Sequence, residues 1–383
     1  MSRKLTPEML ADMAAGAAIM ATGGGGDPLV GRLLVQQALD EGLTVEIVDP
    51  DELDDDDFVI STAMMGAPSV VVEKLSNGSE AVTSLRTLEA HLGRTADATV
   101  PMECGGLNSM IPLLVAARAG IPVVDADGMG RAFPELQMET FGVYGIAGSP
   151  LVIADEKGDT VLVDTGDDNV RMERLARVVT VEMGGASFIA EYPMSGADLK
   201  RTGIPRTLSL AAQIGRAIRE ARAAHADPFA ALVAAVRDSI YGYATSLLEG
   251  KIVDVERSVV GGFTQGRVTL APFDGGELLT IDFRNENVVA RRGERVVAVV
   301  PDLITVLDLE TCTAITSEAL RFGQRVRVVG IATPQIMRTP EALAMWGPHA
   351  FGIDHPWVPL EELTAHSTPC EGRLISLPAP PTR

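Results

Sequence analysis

Apolar and polar positions follow two different rhythms along this chain, and the change between them falls near residue 250. Before it, apolar residues come in short unbroken runs separated by glycine loops and helix-length stretches. Val45 to Asp49, Phe58 to Thr62, Ala98 to Met102 and Ile121 to Val124 read as strands, because short runs without alternation suit strands covered on both faces. Thr6-Pro7-Glu8 opens a helix running to Met20: Thr6 can cap it, Pro7 needs no N–H there, and Glu8 complements the dipole. Further helices are expected over Leu29–Leu39, from Ser79 to Leu92, and over Leu113–Ala119 with Gly120 as its stop. The repeated order of loop, helix and strand predicts an α/β N-terminal domain with a mostly parallel sheet.

After Thr140 the pieces shorten. Phe141–Tyr144, Leu151–Ala154 and Thr160–Val163 read as strands, the last two joined by a Lys157-Gly158 turn. A helix is expected from Asp168 to about Thr180, a strand over Phe188–Tyr192, and two helices over Leu208–Ala224 and Pro228–Val236. From Lys251 strict alternation takes over. Lys251–Val255, Gly266–Leu270, Glu277–Phe283, Asn287–Arg291, Val296–Val300, Leu303–Leu309 and Arg325–Ile331 read as strands, with one short helix at Ser317–Phe322. At 383 residues the chain exceeds a typical single core. The expected division is residues 1–166 as the α/β domain and 167–365 as a β-rich α+β C-terminal domain. The latter comprises a helical connection (167–248), a β-rich part (249–332) and a closing segment (333–365). Residues 366–383 read as a loose tail.

Net charge is −20, which argues against nucleic acid or an anionic membrane as partner, since both need clustered Lys and Arg. Cys104, Cys312 and Cys370 are an odd number, far apart, and predict reduced thiols in a cytoplasmic protein. The N-terminus lacks a signal-peptide pattern, and no apolar run has membrane-spanning length. So apolar a chain suits a homo-oligomer.

The chemistry concentrates between Pro101 and Met138. Cys104 stands between a strand end and a helix start, followed by Gly105 and Gly106, where the helix dipole would lower a thiol pKa and favour a nucleophilic thiolate. The structural alternative is a small buried hydrophobe. Glu103 precedes it, and Asn108 stands at the helix start. Asp125 and Asp127, two apart on an extended segment, point to one side, and Arg131 and Glu135 are expected to pair on a short following helix. Asp125, Asp127 and Glu135 could hold a divalent metal, or the acids could simply bind backbone N–H groups beside Arg131.

Near the N-terminus Gly24, Gly25, Gly26 and Asp27 form a glycine loop entering a helix. It lacks the G-x-G-x-x-G spacing of a dinucleotide site and reads as a packing turn or a substrate-facing loop. The acids from Asp51 to Asp57 read as a solvated turn. Met64, Met65 and Gly66 end a strand, and Met194 follows another; both could line a cleft. His91, His225, His349, His355 and His366 show no zinc spacing; His349 is a candidate to reach the cleft from the second domain.

VDADGMGRAFPELQM, the GG-x-N turn before it and GGGGDP resemble the S-methyl thiohydantoin desulfurase-like family. The resemblance runs over roughly residues 6 to 362 and includes MMGAP with Glu73-Lys74, PDLITVLDLET, and RTPEAL with GPHAFG. It implies an enzyme that hydrolytically removes the sulfur substituent of a thiohydantoin-type ring, often encoded beside hydantoinase and oxoprolinase genes. The expected scheme has Cys104 attacking the sulfur-bearing carbon, with Arg131 and loop N–H groups stabilising charge and Asp127 or Glu103 activating water. It requires no cofactor. The alternatives are a metal-dependent ring hydrolase and a non-catalytic partner subunit of a hydantoinase-type enzyme.

Overall fold

A computed structural model describes residues 2–67, 70, 76, 78–260 and 263–365. Pro68, Glu73, Lys74, His366, Cys370 and the expected tail lie outside them. Strands β1 (Arg3–Lys4), β2 (Glu46–Val48), β3 (Phe58–Gly66), β4 (Ala98–Pro101) and β5 (Val123–Val124) alternate with helices α1 (Pro7–Met20), α2 (Pro28–Asp40), α3 (Ser79–Leu92) and α4 (Ile111–Ala119). After β6 (Ala126–Asp127) come a helical turn α5 (Thr140–Val143), β7 (Leu151–Ala154), β8 (Thr160–Val163), α6 (Asn169–Glu182) and β9 (Ala186–Ser195). Helices α7 (Gly196–Thr202), α8 (Thr207–Ala223) and α9 (Pro228–Arg237) follow, with β10 (Ile204–Pro205) between the first two.

The first sheet has the order β1-β2-β5-β4-β3-β9-β7-β8. Only β2-β5-β4-β3 are parallel. Strand β9 then runs antiparallel to β3, and β7 and β8 continue antiparallel. The sheet is therefore mixed, with its parallel strands set among helices: the hairpin of β7 and β8 and the long return strand β9 need no crossover helix. Strand β9 comes from beyond residue 166 yet sits inside this sheet. Helix α8 packs along α1 so closely that a Cβ on Gly16 would lie 1.8 Å from Ala211 O and one on Gly215 would lie 1.8 Å from Asp12 O. Only hydrogen fits there.

The strands β11 (Ala244–Val260), β12 (Phe263–Pro272), β13 (Leu279–Arg284), β14 (Glu286–Arg292), β15 (Arg295–Val299), β16 (Leu303–Asp308) and β17 (Arg325–Ile331) form a second, antiparallel sheet, in the order β15-β14-β13-β12-β11-β17-β16. Alternate residues such as Ile252, Val268, Leu270 and Ile281 fill its own core, which the period-two pattern predicts. Helices α10 (Pro340–Trp346) and α11 (Leu360–Thr364) close the chain.

Three local expectations change. Residues 131–135 form no helix, because Pro134 cannot be accommodated in its middle. Phe141–Tyr144 is not a strand; Thr140 fixes α5 by donating from N and Oγ1 to Gly128 O. Residues 317–322 are turns.

Candidate active site

Strands β3 and β4 end side by side, so Met64, Met65 and Gly66 face the loop Met102-Glu103 across a cleft. The turn between β13 and β14 in the second sheet closes its far side with Asn285 and Glu286. Gly25, Asn108, Phe133, Pro134, Glu135, Leu136 and Arg177 complete the lining. The position is that expected for a ligand site, beyond the carboxyl ends of parallel strands and between two domains.

Two carboxyl groups, one from each domain, share this cleft. Glu103 is 3% exposed; its Oε1 accepts from Asn108 Nδ2 at 2.8 Å, and its Oε2 has no hydrogen-bond partner. Glu286 is also 3% exposed; its Oε1 accepts from Gly25 N at 3.3 Å, and its Oε2 is likewise without a partner. Burial pushes both up, Glu286 to about 7 with Arg131 opposing the rise. Glu103 rises well above the ordinary carboxyl range through burial; Asn108 opposes this, while Glu286 and Asp127 add repulsion. Near neutral pH Glu286 is poised between its two forms, and burial favours the protonated form of Glu103.

Asn108 fixes this arrangement. Its Nδ2 donates to Glu103 Oε1, to Met64 O at 3.1 Å and to Met102 Sδ at 3.5 Å, and its Oδ1 accepts from Met64 N at 2.7 Å. One amide thereby joins the ends of β3 and β4. With these bonds in place it positions Glu103, and it also lines the cleft.

Behind the cleft lie Cys104, Asp127 and Arg131. Cys104 is fully buried among Ile19, Met20, Leu210 and Tyr241 and is not part of the cleft lining. Burial first, then the carboxyls of Asp127 and Glu103, drive its thiol well above the ordinary range, the reverse of the lowering expected from a helix start. Desolvation outweighs the weak dipole of a short 3₁₀ turn. Asp127 Oδ2 accepts from the N–H groups of Cys104 (2.7 Å), Gly130 (2.7 Å) and Met129 (3.3 Å), and burial raises its carboxyl to about 6 against those bonds. It is the knot that ties the two loops.

Arg131 is fully buried and donates all five N–H groups: to Ala132 O, Pro301 O, Asp302 O, Asn287 O and Thr22 Oγ1. A guanidinium has five donors, so none remains for a substrate oxyanion. It does not pair with Glu135, which takes Gln137 Nε2 at 2.5 Å and lies 3.7 Å from Arg284.

Asp125 turns the other way, to Ser209 N, Ser209 Oγ and Arg3. The break between β5 and β6 cancels the same-side geometry assumed for Asp125 and Asp127. Asp125, Asp127 and Glu135 thus do not form one ligand set, and among the described residues no three His, Cys, Asp or Glu side chains are placed to hold a metal ion. The glycine loop packs closely, and its Gly25 also lines the cleft. A Cβ on Gly24 would lie 2.2 Å from Glu286 Oε1, and one on Gly106 would lie 2.2 Å from Gly25 O. Gly105 meets Ala21 and Ala132 in the same way. Gly26 adopts φ 73°, and Asp27 caps α2 through Leu29 N. Met194 is buried in the main core opposite Val59, and His349 is exposed on a 3₁₀ turn; neither lines the cleft.

Glu286, Met102 and Arg177 were not singled out by the sequence. Glu286 carries no motif; a lone acid ahead of a Val-Val run is its only local signal, and its role comes from contact with Gly24 and Gly25, more than 260 positions away.

No helix among the described residues is long and apolar enough to cross a membrane. No curated protein matches the chain. An X-ray structure of a protein from Chromobacterium violaceum matches it with a TM-score of 0.79 at 24% identity, over 94% of this chain and 100% of that one. At that identity the likeness concerns the fold. The family descriptions "S-Me-THD-like, N-terminal domain" and "S-Me-THD-like, C-terminal domain" match residues 8–165 and 167–360. The chain therefore belongs to the S-methyl thiohydantoin desulfurase-like family.

Proposed function

We propose that the protein is a hydrolase that removes the sulfur substituent from an S-methyl thiohydantoin or a related five-membered cyclic amidine, with Glu286 as base and Glu103 as acid. The observation that carries the reading is the pair of buried carboxyls in one cleft, each with an unpartnered oxygen and held by different environments. Such pairs divide acid and base roles. Glu286, as carboxylate, takes a proton from water while the water oxygen bonds to the ring carbon bearing sulfur and the C=N π pair moves onto the ring nitrogen, to return as the sulfur departs. The C–S bond breaks, Glu103 gives its proton to the departing sulfur, and a small thiol leaves. The resulting ring hydroxyl tautomerises to the carbonyl, and proton exchange with solvent resets both acids.

In this scheme Cys104 supplies a backbone N–H to Asp127 and no nucleophile. The test is thiol release from S-methyl thiohydantoins. Glu103→Gln and Glu286→Gln should each lose on the order of 10²–10⁴ in kcat, while Cys104→Ala keeps activity within about tenfold of wild type. Full activity in Glu103→Gln sinks the acid assignment. Abolition by Cys104→Ala in a folded protein restores the thiol as nucleophile.

A further inference from the structure

Helix α6 has two unlike faces, and the outer one is not built for water. The inner face is buried through Met172, Ala176 and Thr180 and packs on the first sheet. The outer face carries Leu175, Val178 and Val181, which are 42%, 68% and 65% exposed. Three residues apart, they form one continuous stripe. An outward valine costs helix propensity and gains no burial within this chain. Single exposed apolar side chains are ordinary, but a contiguous stripe marks a contact surface.

The charges on the same face are Arg171, Arg174 and Glu182, all exposed. Among the described residues none of their side chains makes a hydrogen bond or ion pair, whereas Arg177, on the inner side, pairs with Glu173. The helix itself offers them nothing. Three and four places from Arg174 stand Val170, Arg171, Arg177 and Val178, and before Glu182 stand Val178 and Val179. Their order also opposes the helix dipole, with arginines in the first half and an acid at the end. A second α6 running the opposite way removes both faults. In an antiparallel pair centred on Val178, Leu175 comes level with the second copy's Val181, Arg174 with its Glu182, and Arg171 with its uncharged Gly185. A parallel pair would instead set Arg174 against Arg174 and Glu182 against Glu182. The charges therefore select the antiparallel direction, in which one patch serves both copies about a two-fold axis.

We propose that the outer face of α6 docks a second copy of this chain, helix against helix, with the two-fold axis at Val178. The surface is preformed: Asp168 Oδ1 caps the helix by accepting from Arg171 N at 2.9 Å, and Glu173 Oε2 accepts from Leu136 N at 3.0 Å on the inner side. Association then needs no rearrangement of the backbone.

Sedimentation equilibrium of the full chain tests this. Wild type should dimerise with a Kd on the order of 1 μM or below. Val178→Glu sets two carboxylates face to face at the axis and should weaken the dimer by roughly 100-fold or more. Arg174→Glu and Glu182→Arg should each weaken it by roughly tenfold, and combining them should restore most of the affinity, because the same pairs re-form with their ends exchanged. Leu33→Glu, at an exposed position of α2, should change nothing. A second arm reads proximity directly. In a Cys370→Ser background, where Cys104 and Cys312 are buried, Val178→Cys should crosslink two copies under mild oxidation, since the side chains meet at the axis within disulfide reach. Leu33→Cys should not. A monomeric wild type, a dimer indifferent to Val178→Glu, a double variant no tighter than its singles, or equal crosslinking through both cysteines overturns the proposal.

Discussion

Glu103 and Asn108 carry the argument at the scale of single residues. The bond from Asn108 Nδ2 holds Glu103 Oε1 and works against the burial that raises this carboxyl. Asn108→Asp replaces that donor with an acceptor and adds a neighbouring negative charge, so Glu103 should rise further. With Glu103 acting as the acid, the basic limb of the pH–rate profile should move to higher pH and kcat should fall roughly tenfold. An unshifted limb with full kcat would show that Asn108 merely packs. The sequence made Glu103, Asn108 and the glycines legible because loop chemistry between a strand and a helix is local. It could not disclose that Cys104 faces inward, since one turn of backbone decides between cleft and core.

Among the elements, helix limits were the most legible. Thr6 caps the helix expected of it, Asp168 and Asp227 cap α6 and α9 where helices were expected to start, and Gly120 ends α4 at φ 71°. Caps and stops act within four residues, so they survive any tertiary context. The order of strands is a different matter: nothing in the pattern of β9 tells that it returns to lie beside β3. The crossing of α1 and α8 was equally hidden, although it depends on Gly16 and Gly215. Gly16→Ala would gain about 1 kcal/mol in helix propensity. The clash with Ala211 O should outweigh this, for a net loss of roughly 1–3 kcal/mol in urea denaturation. Unchanged stability would mean that the helices can part without cost.

For the whole molecule, buried acids govern the response to pH. Glu139 and Glu191 are both buried, and their four carboxyl oxygens find no partner outside the pair. Burial raises each well above the ordinary range; Glu191, Asp127 and Glu103 add to the rise at Glu139, and Glu173 adds to it at Glu191. A Cβ on Gly128 would lie 2.6 Å from Glu139 Oε2, which accounts for the glycine in the DADG string. Acids raised on folding hold protons that the unfolded chain releases. Their stabilisation is complete below the unfolded value, near 4.5 for Glu, and is lost as pH rises toward the folded value. Glu286, at about 7, withdraws stability in the same sense, by about 3 kcal/mol between its two values. Glu139→Gln should therefore gain on wild type in thermal denaturation as pH rises from about 5 to about 9; parallel curves would refute the shared burial of these charges.

Arg131 gives the molecule a further property. Its side chain is fastened at once to Thr22, to the 301–302 loop and to Asn287, so prising the halves apart would strand a bare cation in a dry interior. The boundary near residue 166 divides the sequence rather than the space, since β9 from beyond it pairs with β3 in the first sheet. The cleft is therefore a fixed receptor, and traffic through it passes between side chains rather than through a yawning of two lobes.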